Sequence, residues 1–406
     1  MAKAGGRLTF LGRAIILDGK IKAAGGGAIG CGNGTTVELT NSTLTGNQAT
    51  KGGGVYVSGS SATFTMKGTS CVISAPDKND VYLDGGAKIT VADTLNPQGG
   101  IAARITVPND QYQTTTQVLT GSITDGTPQN YTKFTVTPQT SPAKKWMVGE
   151  QGKLAEVIGS SASSPTDKWT ALKTAVESAI DGEVFYIEGE YTMLSGSNTI
   201  EPTAPCTIKG TNDAVLNADN KGTIISVTSP SPQNMSLENL TIKNGKNDKF
   251  ALSASWGFKF HLKNVTVKDT KKIIESNSGD VTFENVKAHD TDSIIKLGGG
   301  TDGSGEVHYA CLEIKGDTEI KGTVKLISPY NSSDYNSAIK ICDKKSYKLQ
   351  LDFDGYYDAA KDKQVVFLDT SVTGFTLAQV VEKITVKSNG SDQYYIDNNG
   401  YLKKKP

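Results

Sequence analysis

The stretch Met235-Ser-Leu-Glu-Asn-Leu-Thr-Ile-Lys-Asn244 decides the fold, because its pattern returns three times. The copies are Phe260-His-Leu-Lys-Asn-Val-Thr-Val-Lys-Asp269, Val281-Thr-Phe-Glu-Asn-Val-Lys-Ala-His-Asp290 and Val307-His-Tyr-Ala-Cys-Leu-Glu-Ile-Lys-Gly316. Each places two apolar residues around a polar one, then a marker residue, then two more apolar positions split by a polar one. The markers are Asn239, Asn264, Asn285 and Cys311, spaced 25, 21 and 26 residues apart. A short motif recurring at this interval, with variable text between copies, is the signature of a solenoid.

Alternation on either side of the marker is the two-residue period of a strand with one buried face. The step from Leu237 to Leu240 breaks that period, and Asn239 sits in the break. Asn tolerates the left-handed backbone region and can turn the chain between two strands. Coils stacked at the usual strand spacing, roughly 4.8 Å, would also stack their Asn side chains into a hydrogen-bonded ladder. The expected fold is all-β, a right-handed parallel β-helix with aliphatic residues inside. Asn239, Asn264, Asn285 and Cys311 form the structural ladder at an internal corner.

Composition agrees. Lysine plus arginine equals aspartate plus glutamate at 42 each, which argues against a nucleic-acid partner. Hydrophobic residues make up only 36% and glycines number 44, as suits a thin core with many turns. Cys31, Cys71, Cys206, Cys311 and Cys342 show no CxxC pair, so free thiols are expected and no metal or cofactor is assigned. No run of 18 apolar residues suggests a membrane span. The opening Met1-Ala-Lys-Ala-Gly-Gly6 does not read as a signal peptide. A monomer is expected.

Residues 1–95 read as a first array. Gly25-Gly-Gly-Ala-Ile29 and Gly52-Gly-Gly-Val-Tyr56 recur 27 residues apart, which suits a tight corner with close approach between coil backbones. Neither copy is followed by the Lys-Ser/Thr of a phosphate-binding loop. Residues 96–158 and 346–406 read as two copies of a small β capping module. Trp146 and Tyr394 each stand six residues before a glycine, Gly152 and Gly400. Residues 159–168 form a linker. Residues 169–345 form the second array, entered through a helix whose apolar stripe is Trp169, Leu172, Val176, Ala179 and Ile180, capped by Thr166 or Asp167.

Gly26-Gly-Ala-Ile29, Gly53-Gly-Val-Tyr56 and the intervening Leu44-Thr-Gly-Asn47 resemble the GGA[ILV] and FxxN repeats of chlamydial polymorphic outer-membrane proteins. Leu44 stands where that family has Phe. The helix and the following Val184-Phe-Tyr-Ile187, Cys206-Thr-Ile-Lys-Gly210 and Thr223-Ile-Ile-Ser-Val227 resemble the opening of pectin-lyase-like β-helix proteins. The first resemblance implies a bacterial surface-exposed or secreted protein, outer-membrane-associated. The second family spans polysaccharide lyases, glycosidases and non-catalytic adhesins.

The residues must decide between these. Only Arg7, Arg13 and Arg104 are arginines, none in the second array, so an Arg-base lyase is excluded there. The strongest candidate ligand-binding residues are Trp256, His289, Asp290, Asp292, Asp302 and His308, on the long 245–260 insertion and the 289–308 loops. Carboxylates on stacked coils could reach a glycosidase spacing of about 5–9 Å, but Asp in turn-like Gly/Ser text serves turns equally well. No catalytic residue is assigned. The expected role is non-catalytic, adhesin-like or structural binding of a host or matrix glycoprotein or polysaccharide. The alternative is a carbohydrate-active enzyme of the pectin-lyase-like class.

Overall fold

The computed structural model describes residues 7–10, 15–17, 26–73, 80–137, 144–228, 234–255, 258–301, 307–308, 310–327, 337–342, 347–354, 357–369, 374–388 and 393–406. The chain divides into two compact units, Met1–Val157 and Ile158–Pro406. Both are parallel β-solenoids. Among the described residues no helix is long and apolar enough to cross a membrane.

In the second unit, one face stacks the strands Cys206–Asn217 (its first half), Asn234–Glu238, Lys259–Lys263, Val281–Glu284, Cys311–Lys315, Ala338–Ile341 and Val366–Leu368, all parallel. Their inward positions form columns. Cys206, Met235, Phe260, Val281, Leu312, Ile339 and Val366 stand one above another by register, and all are buried. Leu237, Leu262, Phe283, Ile314 and Ile341 form a second such column. Each fully buried side chain of this size contributes about 1.5–3 kcal/mol.

The corner that follows this face is built as its sequence implies. Asn239, Asn264 and Asn285 adopt φ of 56°, 53° and 56°. Asn264 Nδ2 donates to Asn239 Oδ1 at 2.8 Å, and Asn285 Nδ2 donates to Asn264 Oδ1 at 2.9 Å. Two features depart from expectation. Asn239 and Asn264 are exposed and Asn285 is half-buried, so the ladder lies on the outside of the corner. A left-handed residue reverses the pleat, leaving Glu238 and Asn239 both outward and returning Leu240 to the core. The fourth rung is Gly316 and not Cys311. Glu284 pairs with Lys315, which puts Gly316, at φ 59°, beneath Asn285, while Cys311 begins its strand five residues earlier. The Asp317 amide donates to Asn285 Oδ1 at 2.8 Å and ends the ladder. Val307–His308, read from sequence as the start of this coil, instead pairs antiparallel with Gly300–Thr301.

The entry helix spans Pro165–Glu177 and is capped by Ser164, whose hydroxyl accepts from the Asp167 amide at 3.2 Å. Trp169, Leu172 and Val176 are buried, and Trp169 Nε1 donates to the Asn198 carbonyl at 2.9 Å. Ile180, expected in the stripe, lies past the helix end and is 72% exposed. Short helices run at Tyr357–Ala360 and Leu377–Val381, the second opened by a Thr376–Gln379 capping box.

The first unit also runs three strands per coil, as in Thr36–Thr40, Thr43–Thr45 and Val55–Ser58, each stacked parallel on its neighbours. The triple-glycine repeats explain themselves physically. Gly26 and Gly52 have φ of 76° and 61°. A Cβ on Gly27 would lie 1.9 Å from the Gly53 carbonyl oxygen of the next coil. Leu44 and Asn47 of the intervening motif are both buried, and Asn47 Nδ2 donates to the Thr45 carbonyl at 3.0 Å.

The regions read as capping modules contain the last parallel coils plus an antiparallel hairpin. In the first unit Ala103–Thr106 pairs parallel with Phe134–Val136, and Trp146–Val148 with Leu154–Glu156 closes the end. In the second, Tyr347–Asp352 pairs parallel with Ile384–Val386, and Tyr394–Ile396 with Leu402–Lys404 makes the hairpin. The Gly152 carbonyl accepts from the Val118 and Leu119 amides, as the Gly400 carbonyl does from Val365 and Val366.

Replacing Asn264 by Ala removes both ladder bonds and the left-handed preference together, and should lower the unfolding free energy by about 1–2 kcal/mol. Asn264→Gly keeps the backbone and should lose roughly half of that; chemical denaturation separates the two terms. Gly27→Ala should cost about 3 kcal/mol or more. Gly30→Ala, where a new Cβ meets nothing within 4 Å, should stay within about 0.5 kcal/mol of wild type.

Candidate functional site

The sequence-selected residues do not come together as one described site. Trp256 and Asp302 lie outside the described residues. The backbone of His289, Asp290 and Asp292 runs in the strand Lys287–Gly298, at a register irregularity between Ala288 and Ser293. His308 belongs to the short pairing with Gly300. Phe258 and Phe260, at the end of the 245–260 insertion, are in the core.

A different set is assembled by stacking alone. On the outer surface of the second unit's long face, register aligns Lys209, Glu238, Lys263, Glu284 and Lys315 in one column. A parallel column holds Ser236, His261, Thr282, Glu313 and Lys340. The charges pair across rungs and, at Glu313–Lys315, along one. Lys209 meets Glu238 at 3.1 Å and Lys263 meets Glu284 at 3.2 Å. His261 Nε2 lies 3.1 Å from the other Glu284 oxygen. Glu313 takes Lys315 at 2.8 Å, Lys340 at 3.2 Å and the Thr282 hydroxyl at 3.3 Å. Lys340 also binds Asp369, and Lys259 meets Asp280 at 3.4 Å. A shallow groove of about 480 Å³ runs across these rows, with Asp280, Thr282 and Cys311 among its lining.

This arrangement sets the protonation states. Burial works to raise the Glu284 carboxyl, but Lys263 and His261 outweigh it and hold it below the usual carboxylate range. Burial opposes and Lys315 and Lys340 prevail in the same way at Glu313. Lys340 is raised by Asp369 and then Glu313, and Lys315 by Glu313. Burial, with the Glu313 charge, pushes the Cys342 thiol up to about 12. Burial, with the Asp280 charge, pushes Cys311 to about 11. A general acid needs a raised carboxyl, a lysine base a lowered amine and a thiol nucleophile a lowered pKa. Each of these groups is moved the opposite way. What the face offers is fixed hydrogen-bonding and charge geometry.

Among the described residues one set has ligand atoms close enough for a metal, Glu313, Cys342 and Asp369, within 4.8 Å of one another. The Lys340 ammonium already bridges its two carboxylates. The face had a sequence signal that residue-type searching passes over: the residue before each corner alternates in sign, Glu238, Lys263, Glu284, Lys315.

The depressed carboxylates stabilise the fold above about pH 4.3, the unfolded glutamate value, and that contribution is lost as pH falls through the lower folded values. The raised lysines contribute fully below about pH 10.4 and lose it as pH rises through their higher folded values. The Cys311 and Cys342 thiols, raised in the fold, contribute fully only below about pH 8.5, so the unfolding midpoint should be flat between about pH 5 and 8 and fall on both sides. Glu313→Gln should shallow the acid limb, as denaturation across pH would register.

Comparisons with protein-family models, curated proteins and solved structures give no match to this chain. What stands without a relative is the parallel β-solenoid and its repeats.

Proposed function

We propose that this is a non-catalytic bacterial β-helix protein, displayed at the cell surface, outer-membrane-associated, or secreted, that binds a host or matrix glycoprotein or polysaccharide as a monomer. The observation that carries the reading is the ion-paired face. Glu284 and Glu313 are held ionised by lysines, Lys315 and Lys340 are held protonated by carboxylates, and the Cys311 and Cys342 thiols are pushed up. A surface so neutralised presents shape and hydrogen bonds, with its carboxyls not raised as a general acid requires and its lysines not lowered as a lysine base requires. The GGA[ILV]-like repeats of the first unit support display outside the cell by resemblance. The repeated-coil architecture offers a long surface of regularly spaced contacts.

One observation favours a second reading, a carbohydrate-active enzyme: lysines stand beside carboxylates along a groove, as in Lys315–Glu313–Lys340. It ranks second because both lysines are raised, and a lysine base requires the reverse.

A screen of glycans and matrix proteins, run beside a polysaccharide-cleavage assay, separates the two. Saturable binding without cleavage is the expected result. Cleavage of any polymer at ordinary enzyme rates, a kcat of about 1 s⁻¹ or more, would overturn the proposal.

A further inference from the structure

We infer that the groove on the second unit's outer face takes a neutral, hydroxyl-rich glycan laid along the stack, a sugar facing each coil. This rests on the binding role proposed above and names its ligand.

Three observations lead there. The first is the balance of charge. Lys259 has Asp280 at 3.4 Å, Lys263 has Glu284 at 3.2 Å, and Lys315 and Lys340 have Glu313 at 2.8 and 3.2 Å. A polyanion laid on this face meets a carboxylate beside every one of these ammonium groups, so its attraction and repulsion cancel. A polycation fails for the same reason. Neutral hydroxyls do not: they donate to carboxylates and accept from ammonium groups, and a lysine–carboxylate pair offers both to neighbouring hydroxyls.

The second is shape. Short side chains, Asp280, Thr282 and Cys311, line the groove between longer ones, Lys259 and His261 on one side and Glu313 and Lys340 on the other. The groove crosses consecutive coils and is open, about 480 Å³, within the usual range of roughly 300–1,000 Å³ for ligand sites. Hydroxyl and amide groups at Asn234, Ser236 and Thr282 add donors and acceptors without charge.

The third is period. The rows repeat at the strand spacing, roughly 4.8 Å, comparable to the advance per residue of an extended hexose chain. Successive sugars then meet successive rows, each offering a donor or acceptor at Ser236, His261, Thr282, Glu313 or Lys340.

The test is calorimetric titration of the full chain with neutral hexose oligosaccharides, with sulfated and uronate oligosaccharides, and with candidate matrix proteins, at low and high salt. Binding of a neutral oligosaccharide, changed by less than about twofold by salt, supports the inference. Thr282→Arg, which lays a long side chain across the groove, should weaken it about tenfold with an unchanged melting curve. Ser236→Arg is the second variant should the first lose stability. Preference for the polyanions, no glycan binding, or neutral binding indifferent to both variants would overturn it. Binding of a matrix protein alone overturns this inference and leaves the binding role standing, whereas cleavage of a glycan removes that role itself.

Discussion

One backbone constraint organises the second unit: a residue in the left-handed region at the corner after four consecutive face strands. Asn239, Asn264, Asn285 and Gly316 occupy it in successive coils. Because it reverses the pleat, the strand before and the strand after both keep their apolar residues inward. Two adjacent outward positions are left over at each of these corners. One becomes the Asn ladder. The other, immediately before it, is forced into a column with its neighbours above and below. Like charges at roughly 4.8 Å would repel by about 1–3 kcal/mol, depending on screening. The chain answers with Lys209, Glu238, Lys263, Glu284 and Lys315. The charge alternation is thus a consequence of the stack before it is anything functional.

The first unit solves the same stacking problem in two ways. Asn41, at φ 50°, accepts from the Thr69 amide at 3.0 Å above Gly68, at φ 62°. Asn285 does the same with Asp317 above Gly316. A left-handed Asn followed one coil on by a left-handed Gly therefore recurs in both units, and in the second it ends the ladder. At another corner the unit dispenses with side chains, and Gly27 approaches Gly53 too closely for any Cβ. A side-chain ladder and a bare-backbone contact both hold register. The first leaves polar groups at the surface, and the second buries its backbone in the stack.

What was legible in the sequence is what repeats. Leu237, Leu262 and Phe283 fall at matched offsets from an Asn, and that is enough to give coils, inward columns and the ladder's membership. Which side of the corner the Asn occupies was not legible, because spacing records that the alternation breaks and not how the backbone turns at the break. The fourth rung was misplaced at Cys311 because Val307 and Tyr309 continue a plausible alternation. The Val307–His308 pairing belongs to a hairpin inserted before the coil. Lys315-Gly316, a charged residue before one suited to positive φ, matches Glu284-Asn285 better. The candidate site was less legible for a related reason. His289, Asp290 and Asp292 stand out by residue type within one loop, whereas Glu284, Glu313 and Lys340 are 27 to 29 residues apart and become neighbours only through register.

The terminal hairpins show why the faces can be left to other duties. A parallel coil at the end of a stack exposes a row of amides with no following strand to accept from them. In each unit a glycine carbonyl in the hairpin turn takes two of these at once, Gly152 from Val118 and Leu119, Gly400 from Val365 and Val366. A glutamine side chain crosses to the residue before that glycine, Gln117 to Gln151 at 2.8 Å and Gln364 to Asn399 at 3.0 Å. With the ends closed by backbone chemistry and the interior fixed by apolar columns, the outward positions are constrained chiefly by the need to avoid like charges in a column. The column holding Ser236, His261 and Thr282 escapes even that constraint over these rows, because Ser and Thr on either side of His261 carry no charge. It is there that residue identity is least dictated by the stack.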